Sequence, residues 1–123
     1  MKFQITVRHF GNGLEFSDVL FGRENYEDGS HKHLDEKSLN DDIKLVKGGG
    51  IIRESKFAIQ DTFVKIIIHE FTEHRLELLA EHISKSLNPL ESVQDLKIGR
   101  EIVGKDKESI LKAIKKFLEE SNS

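Results

Sequence analysis

Apolar and polar side chains alternate at the start of the chain. Phe3, Ile5 and Val7 fall on one parity of residues 2–10 and Gln4, Thr6 and Arg8 on the other, the period of a half-buried strand. Gly11-Asn12-Gly13 then supplies residues that tolerate positive φ. Leu14 to Phe21 is again rich in β-compatible side chains, which predicts a second strand and a hairpin. Its register is not legible, because the apolar parity switches between Phe16 and Val19.

Residues 22–42 (GRENYEDGSHKHLDEKSLNDD) offer one tyrosine and two leucines among mostly charged and polar side chains. That is too little apolar surface to offset the entropy of ordering, so a long, mobile, charged surface loop is predicted. Loops of this length inside a domain are often functional. Ile43 to Val46 and Ile51 to Ile59 flank Lys47-Gly48-Gly49-Gly50, the pattern of a second hairpin turning at the glycines.

From Asp61 to Leu87 the chain reads either as one helix or as a strand followed by a helix, and periodicity separates the two. On a single helix the stripe Leu76, Leu79, Ala80, Ile83, Leu87 extends backward to Thr72, His69 and Lys65, which are polar. Val64, Ile67, Ile68 and Phe71 would cluster about 140° away around that helix. A break near Phe71–Thr72 removes the conflict: Phe63 to Phe71 becomes a strand, and Thr72 caps a helix starting at Glu73 and ending at Asn88-Pro89. Val93 to Val103 reads as a further strand. Asp106 then caps a last helix whose Ile110, Leu111, Ala113, Ile114, Phe117 and Leu118 form an amphipathic stripe. The expected fold is one α+β domain over 1–123, ordered β-β-loop-β-β-β-α-β-α, with a mostly antiparallel sheet and two helices on one face.

Composition narrows the function classes. With 123 residues the chain fits one ordinary domain, and with no cysteine it has no disulfide, thiolate metal site or cysteine nucleophile. Arg8, His9, Glu15 and Asp18 interrupt any signal-peptide core, and no apolar run approaches the ~20 residues of a membrane span, so a cytoplasmic location without membrane contact is expected. Nineteen basic against twenty-two acidic residues give a net charge of −3, the wrong sign for a domain that holds a phosphate backbone through its overall field. With no tryptophan, one tyrosine and phenylalanines mostly at core-parity positions, base-stacking surfaces are poorly supplied. Nucleic acid is therefore not an expected partner.

Candidate chemistry lies in two histidine clusters. His69-Glu70-Phe71-Thr72-Glu73-His74 resembles a zinc-protease HExxH at a glance, but its histidines are five apart, about 140° around a helix, where the motif needs four. A different geometry remains, with His69 at a strand end and His74 in the first helical turn converging with Glu70 or Glu77 on a divalent metal. His31 and His33, near Asp28, Asp35 and Glu36, form the second cluster, and the two can meet only if the fold brings them together. Gly48-Gly49-Gly50 lacks the Gly-Lys-Ser/Thr and following helix of a P-loop, and no Gly-x-Ser-x-Gly is present.

No catalytic constellation is recognisable, so the expectation leans away from an enzyme. It favours a protein-interaction or regulatory, inhibitor-like domain. Its partner-binding residues are the acids of the charged segment: Glu24, Glu27, Asp28, Asp35, Glu36, Asp41 and Asp42. The alternatives are a metal-binding domain or metal-assisted hydrolase using His69, Glu70, His74, Glu77, His31 and His33, and a nucleotide-type ligand binder using the glycines and Arg53. Phe63, Ile67 and Phe71 share a parity opposite to Val64, Ile66 and Ile68, and this second apolar set calls for cover by the long loop or by a second subunit in a homodimer.

Overall fold

The computed structural model describes residues 1–54 and 58–121, with side chains at 53 and 54 left out. The elements in chain order are β1 (Lys2–Phe10), α1 (Leu14–Phe21), β2 (Arg23–Asn25), β3 (His31–His33), β4 (Glu36–Asn40), β5 (Ile43–Glu54), β6 (Ile59–Ile68), α2 (Glu73–Leu87), β7 (Val93–Ile98), β8 (Glu101–Val103) and α3 (Lys107–Ser121). Six strands form one sheet in the order β4-β5-β6-β1-β7-β8, every neighbouring pair antiparallel, and β2 with β3 forms a separate two-stranded ribbon. The α+β class and the antiparallel sheet agree with the sequence expectation.

Side-chain alternation sends Phe3, Ile5, Val7 and His9 of β1, Thr62, Val64, Ile66 and Ile68 of β6, and Ile43 and Leu45 of β5 to one face of the sheet. The helices cover that face, contributing Phe16, Leu20 and Phe21 from α1, Leu76, Leu79, Ala80, Ile83 and Leu87 from α2, and Ile110, Ala113, Ile114 and Leu118 from α3 to a single apolar cluster. Each large buried side chain stabilises the fold by about 1.5–3 kcal/mol relative to exposure. In β7 the buried positions are Val93, Leu96 and Ile98. The odd spacing follows from a register shift opposite Arg8 and His9, which leaves Gln94 as the extra residue of a bulge and returns Val93 to the core face.

The break at Phe71–Thr72 stands. Thr72 is extended (φ −134°) and its hydroxyl accepts from the Arg75 amide at 3.2 Å, while Asp106 does the same for the Ser109 amide at 3.0 Å before α3.

Four expectations are corrected. Leu14–Phe21 is a helix and not a strand, so three helices cover the sheet. Its buried Phe16, Ser17, Leu20 and Phe21 keep helical spacing, and Gly13, at φ +78°, turns the chain into it. Gly48–Gly50 is not a hairpin turn, because β5 runs through it with one irregularity, paired with β6 on both sides of the glycines. A Cβ would be tight at two of the three glycines: on Gly50 it would stand 3.0 Å from the Asp61 carbonyl and on Gly48 3.1 Å from that of Phe63, whereas on Gly49 it would meet open space. Val93–Val103 is a hairpin of β7 and β8 turning at Gly99, φ +62°. Residues 22–42, finally, are not a loop but contain β2, β3 and β4.

Candidate functional site

The segment 22–42 is ordered by a few contacts. The Gly22 carbonyl accepts from the Leu34 amide at 3.2 Å, the Asp35 carbonyl from the Lys47 amide at 2.7 Å, and β2 pairs with β3 in register Arg23↔His33, Glu24↔Lys32, Asn25↔His31. Its turn closes on Tyr26 and Ser30, with the Asp28 carboxylate accepting from both the amide and the hydroxyl of Ser30. Those hydrogen bonds hold the Asp28 carboxyl below the ordinary carboxylate range. Only Leu34 and Leu39 of the segment pack on the core, and every residue from Arg23 to Lys32 is exposed.

The acids of this segment separate into two groups. Glu24, Glu27 and Asp28 sit on the ribbon and its turn, while Asp35, Glu36, Asp41 and Asp42 line β4 and its turn into β5 at the edge of the main sheet. Glu36 is bridged to Lys44 at 2.5 Å, and Asp42 to Arg75 at 2.5 Å, so these two fasten the edge strand to the body. Glu27, Asp35 and Asp41 are exposed.

One histidine of the segment is anchored. His33 Nδ1 lies 2.6 Å from Asp18 Oδ1 of α1, and the His31 and His33 rings meet edge to face with centroids 5.0 Å apart. The sequence reading named both histidines and missed Asp18, because it placed Leu14–Phe21 in a strand. No signal in the sequence joins residues fifteen apart across that boundary.

The second histidine cluster does not form a comparable arrangement. His69, Glu70, His74 and Glu77 are all exposed; the Glu70 carbonyl and carboxylate face Arg75, at 2.5 and 3.6 Å. Among the described residues, no group of three or more histidine, aspartate or glutamate side chains is placed to hold a metal ion. Of the nucleotide candidates, the glycines belong to β5, and the Arg53 side chain lies outside the described residues.

Two buried polar positions were also missed. His9, only 1 % exposed, sits on the core face of β1 with Nε2 2.7 Å from the Thr62 hydroxyl, its ring 4.7 Å from that of Phe16 and Nδ1 without a geometrically formed hydrogen bond. Burial pushes its pKa down and Lys47 adds to this, while the backbone at Phe10 and Gly11 and the Asp61 carboxylate oppose it. Parity carried the signal here, since His9 follows Phe3, Ile5 and Val7. On the opposite face, Asp61 is buried (side chain 2 % exposed) beneath Arg8, whose Nε and Nη2 donate to its two oxygens at 3.0 and 3.4 Å. That hydrogen bond holds the Arg8 guanidinium above its ordinary value.

No known protein family, curated protein or solved structure matches the chain. No helix among the described residues is long and apolar enough to cross a membrane.

The open face of the sheet carries Gln4, Thr6, Arg8 and Phe10, with Asp61, Phe63, Lys65 and Ile67 of β6 and Ile102 of β8. Phe63 and Ile67 are half-buried there and Ile102 is 67 % exposed. The segment 22–42 does not cover this face. Its ribbon docks on α1, at the helical side, through Asp18 and His33.

Proposed function

We propose that the protein is a small interaction domain that captures a partner with a basic surface through the acidic segment 22–42. The observation that carries this reading is order without apolar return. Fixing the backbone costs about 1–2 kcal/mol per residue, yet this segment gives only Leu34 and Leu39 to the core and leaves every ribbon residue but His33 exposed. Its seven acids against Arg23, Lys32 and Lys37 give 3 − 7 = −4, so the remainder of the chain, at −3 in total, carries +1. The acidity is therefore concentrated in one ordered segment, three acids on the ribbon and its turn and four along β4 and its turn into β5, where it speeds encounter with a cationic surface and suppresses wrong partners. Pre-ordering lowers the entropy cost of binding further.

The test is cross-linked capture from native extract, compared between the wild type and the triple variant Glu24→Lys, Glu27→Lys, Asp28→Lys. These side chains support nothing in the core, so the body of the fold is retained; because Asp28 and Glu24 also accept from Ser30 and Tyr26 in the turn, the β2–β3 pairing of the variant is checked by NMR. Partners captured by the wild type in a salt-sensitive manner, and then lost by the variant, support the reading. The same partners captured by both proteins contradict it.

A further inference from the structure

We propose that His31 and His33 together form a site for one divalent transition-metal ion, with Asp18 as the residue that orients it. The two histidines stand at i and i+2 on β3, so their side chains leave the ribbon on the same face. A metal–nitrogen bond of about 2.0–2.1 Å, with about 1.1 Å from a ring nitrogen to the ring centre, places each centroid about 3.2 Å from a shared ion. The observed 5.0 Å between centroids then corresponds to a nitrogen–metal–nitrogen angle of about 103°, between octahedral and tetrahedral values. The two rings are close enough that side-chain rotation can bring one nitrogen of each onto a shared ion.

Asp18 supplies the second element. An ionised carboxylate only accepts hydrogen bonds, so the 2.6 Å contact puts the hydrogen of His33 on Nδ1 and leaves Nε2 as a lone-pair donor. A ligating histidine usually has its other nitrogen fixed in this way, which sets tautomer and ring orientation together. The His31 side chain makes no hydrogen bond among the described residues and is exposed, so either of its ring nitrogens can turn toward the ion. Arg23 stands across the ribbon from His33 and is exposed, so solvent lies beside it for its side chain to occupy. The chain supplies two nitrogen donors, and water completes the shell.

Imidazole donors suit zinc, nickel and copper, whereas magnesium and calcium require oxygen ligands. The bound ion would fix the His31 and His33 rings relative to each other on β3, while the existing His33–Asp18 contact holds the site against α1. This inference does not depend on the partner proposed above.

The experiment is calorimetric titration of the full chain with zinc chloride, with imidazole resonances followed by NMR and calcium chloride as the hard-cation control. One zinc per chain is expected, with shifts confined to His31 and His33 and no calcium binding. His31→Ala, which removes a side chain that holds nothing in the body, and His33→Ala should each weaken zinc at least tenfold. Asp18→Asn should weaken it about 10–100-fold, and the His69→Ala, His74→Ala double variant should leave it unchanged. Absence of binding in millimolar zinc, affinity that survives His31→Ala, or equal binding of calcium would overturn the site; full affinity in Asp18→Asn would overturn the orienting role.

Discussion

Acidification should weaken the fold through His9 in a window separate from that of the carboxylates. The ring is buried against Phe16 and Lys47 lies on the same side, and these outweigh the backbone at Phe10 and Gly11, so the folded chain holds His9 below its free value near 6.5. The unfolded chain protonates it as pH falls through about 6.5, while the folded chain does not until lower pH. Proton uptake thus favours unfolding: stability is full above the unfolded value and declines below it, with a limiting slope of about 1.4 kcal/mol per pH unit. Integrated from pH 7.5 to 5.5, one histidine that stays neutral when folded removes at most about 1.4 kcal/mol. Urea unfolding at pH 7.5, 6.5 and 5.5, for the wild type and for His9→Gln, isolates the contribution. His82, whose pKa is also pushed down by burial, titrates in both proteins and cancels in the difference. Asp61 bears on His9 with the opposite sign, and the glutamine variant leaves the Arg8–Asp61 ion pair in place. The variant is expected to start less stable and to lose less on acidification. Equal losses in the two proteins would refute the reasoning.

Further outcomes follow from single positions. Gly13→Ala should destabilise by about 2–4 kcal/mol in chemical denaturation, since a Cβ at φ +78° would stand 2.7 Å from the Phe16 ring and 2.8 Å from that of His9. Leu79→Ala, which empties a fully buried position between α2 and the sheet, should cost about 2–5 kcal/mol by the same assay. Thr72→Ala should cost about 1 kcal/mol, and Thr72→Asp should recover it, because only the cap on the Arg75 amide changes.

What the sequence revealed and what it concealed differ by the range of the forces involved. The strand–helix break at Thr72 was legible because two apolar stripes on one segment were out of phase, a local property that packing had to respect. Asp106 and α3 were legible for the same reason. Leu14–Phe21 was misjudged on the β-compatible character of Phe16, Val19 and Phe21, although the parity switch at Phe16–Val19 already argued against a strand. The buried Phe16, Leu20 and Phe21 show helical spacing, and packing against α2 and the sheet outweighed propensity. The glycines at 48–50 look like a turn locally, yet cross-strand pairing carries β5 through them, with backbone oxygens of β6 approaching closely at Gly48 and Gly50.

The candidate site was half legible. His31, His33 and the acids were visible as a cluster, but their order depends on Asp18, Gly22 and Lys47, contacts between residues distant in sequence. Composition alone predicted a mobile loop, because it counts apolar area and not the hydrogen bonds of a ribbon.

The account turns on whether residues 22–42 are ordered in solution without a partner. Nuclear Overhauser effects across the ribbon measure this directly. Contacts between Glu24 and Lys32 and between Asn25 and His31, with heteronuclear relaxation like that of β1, are the predicted result. Random-coil shifts and relaxation across Arg23–His33 would contradict it, and with it the argument that this projection is built for recognition.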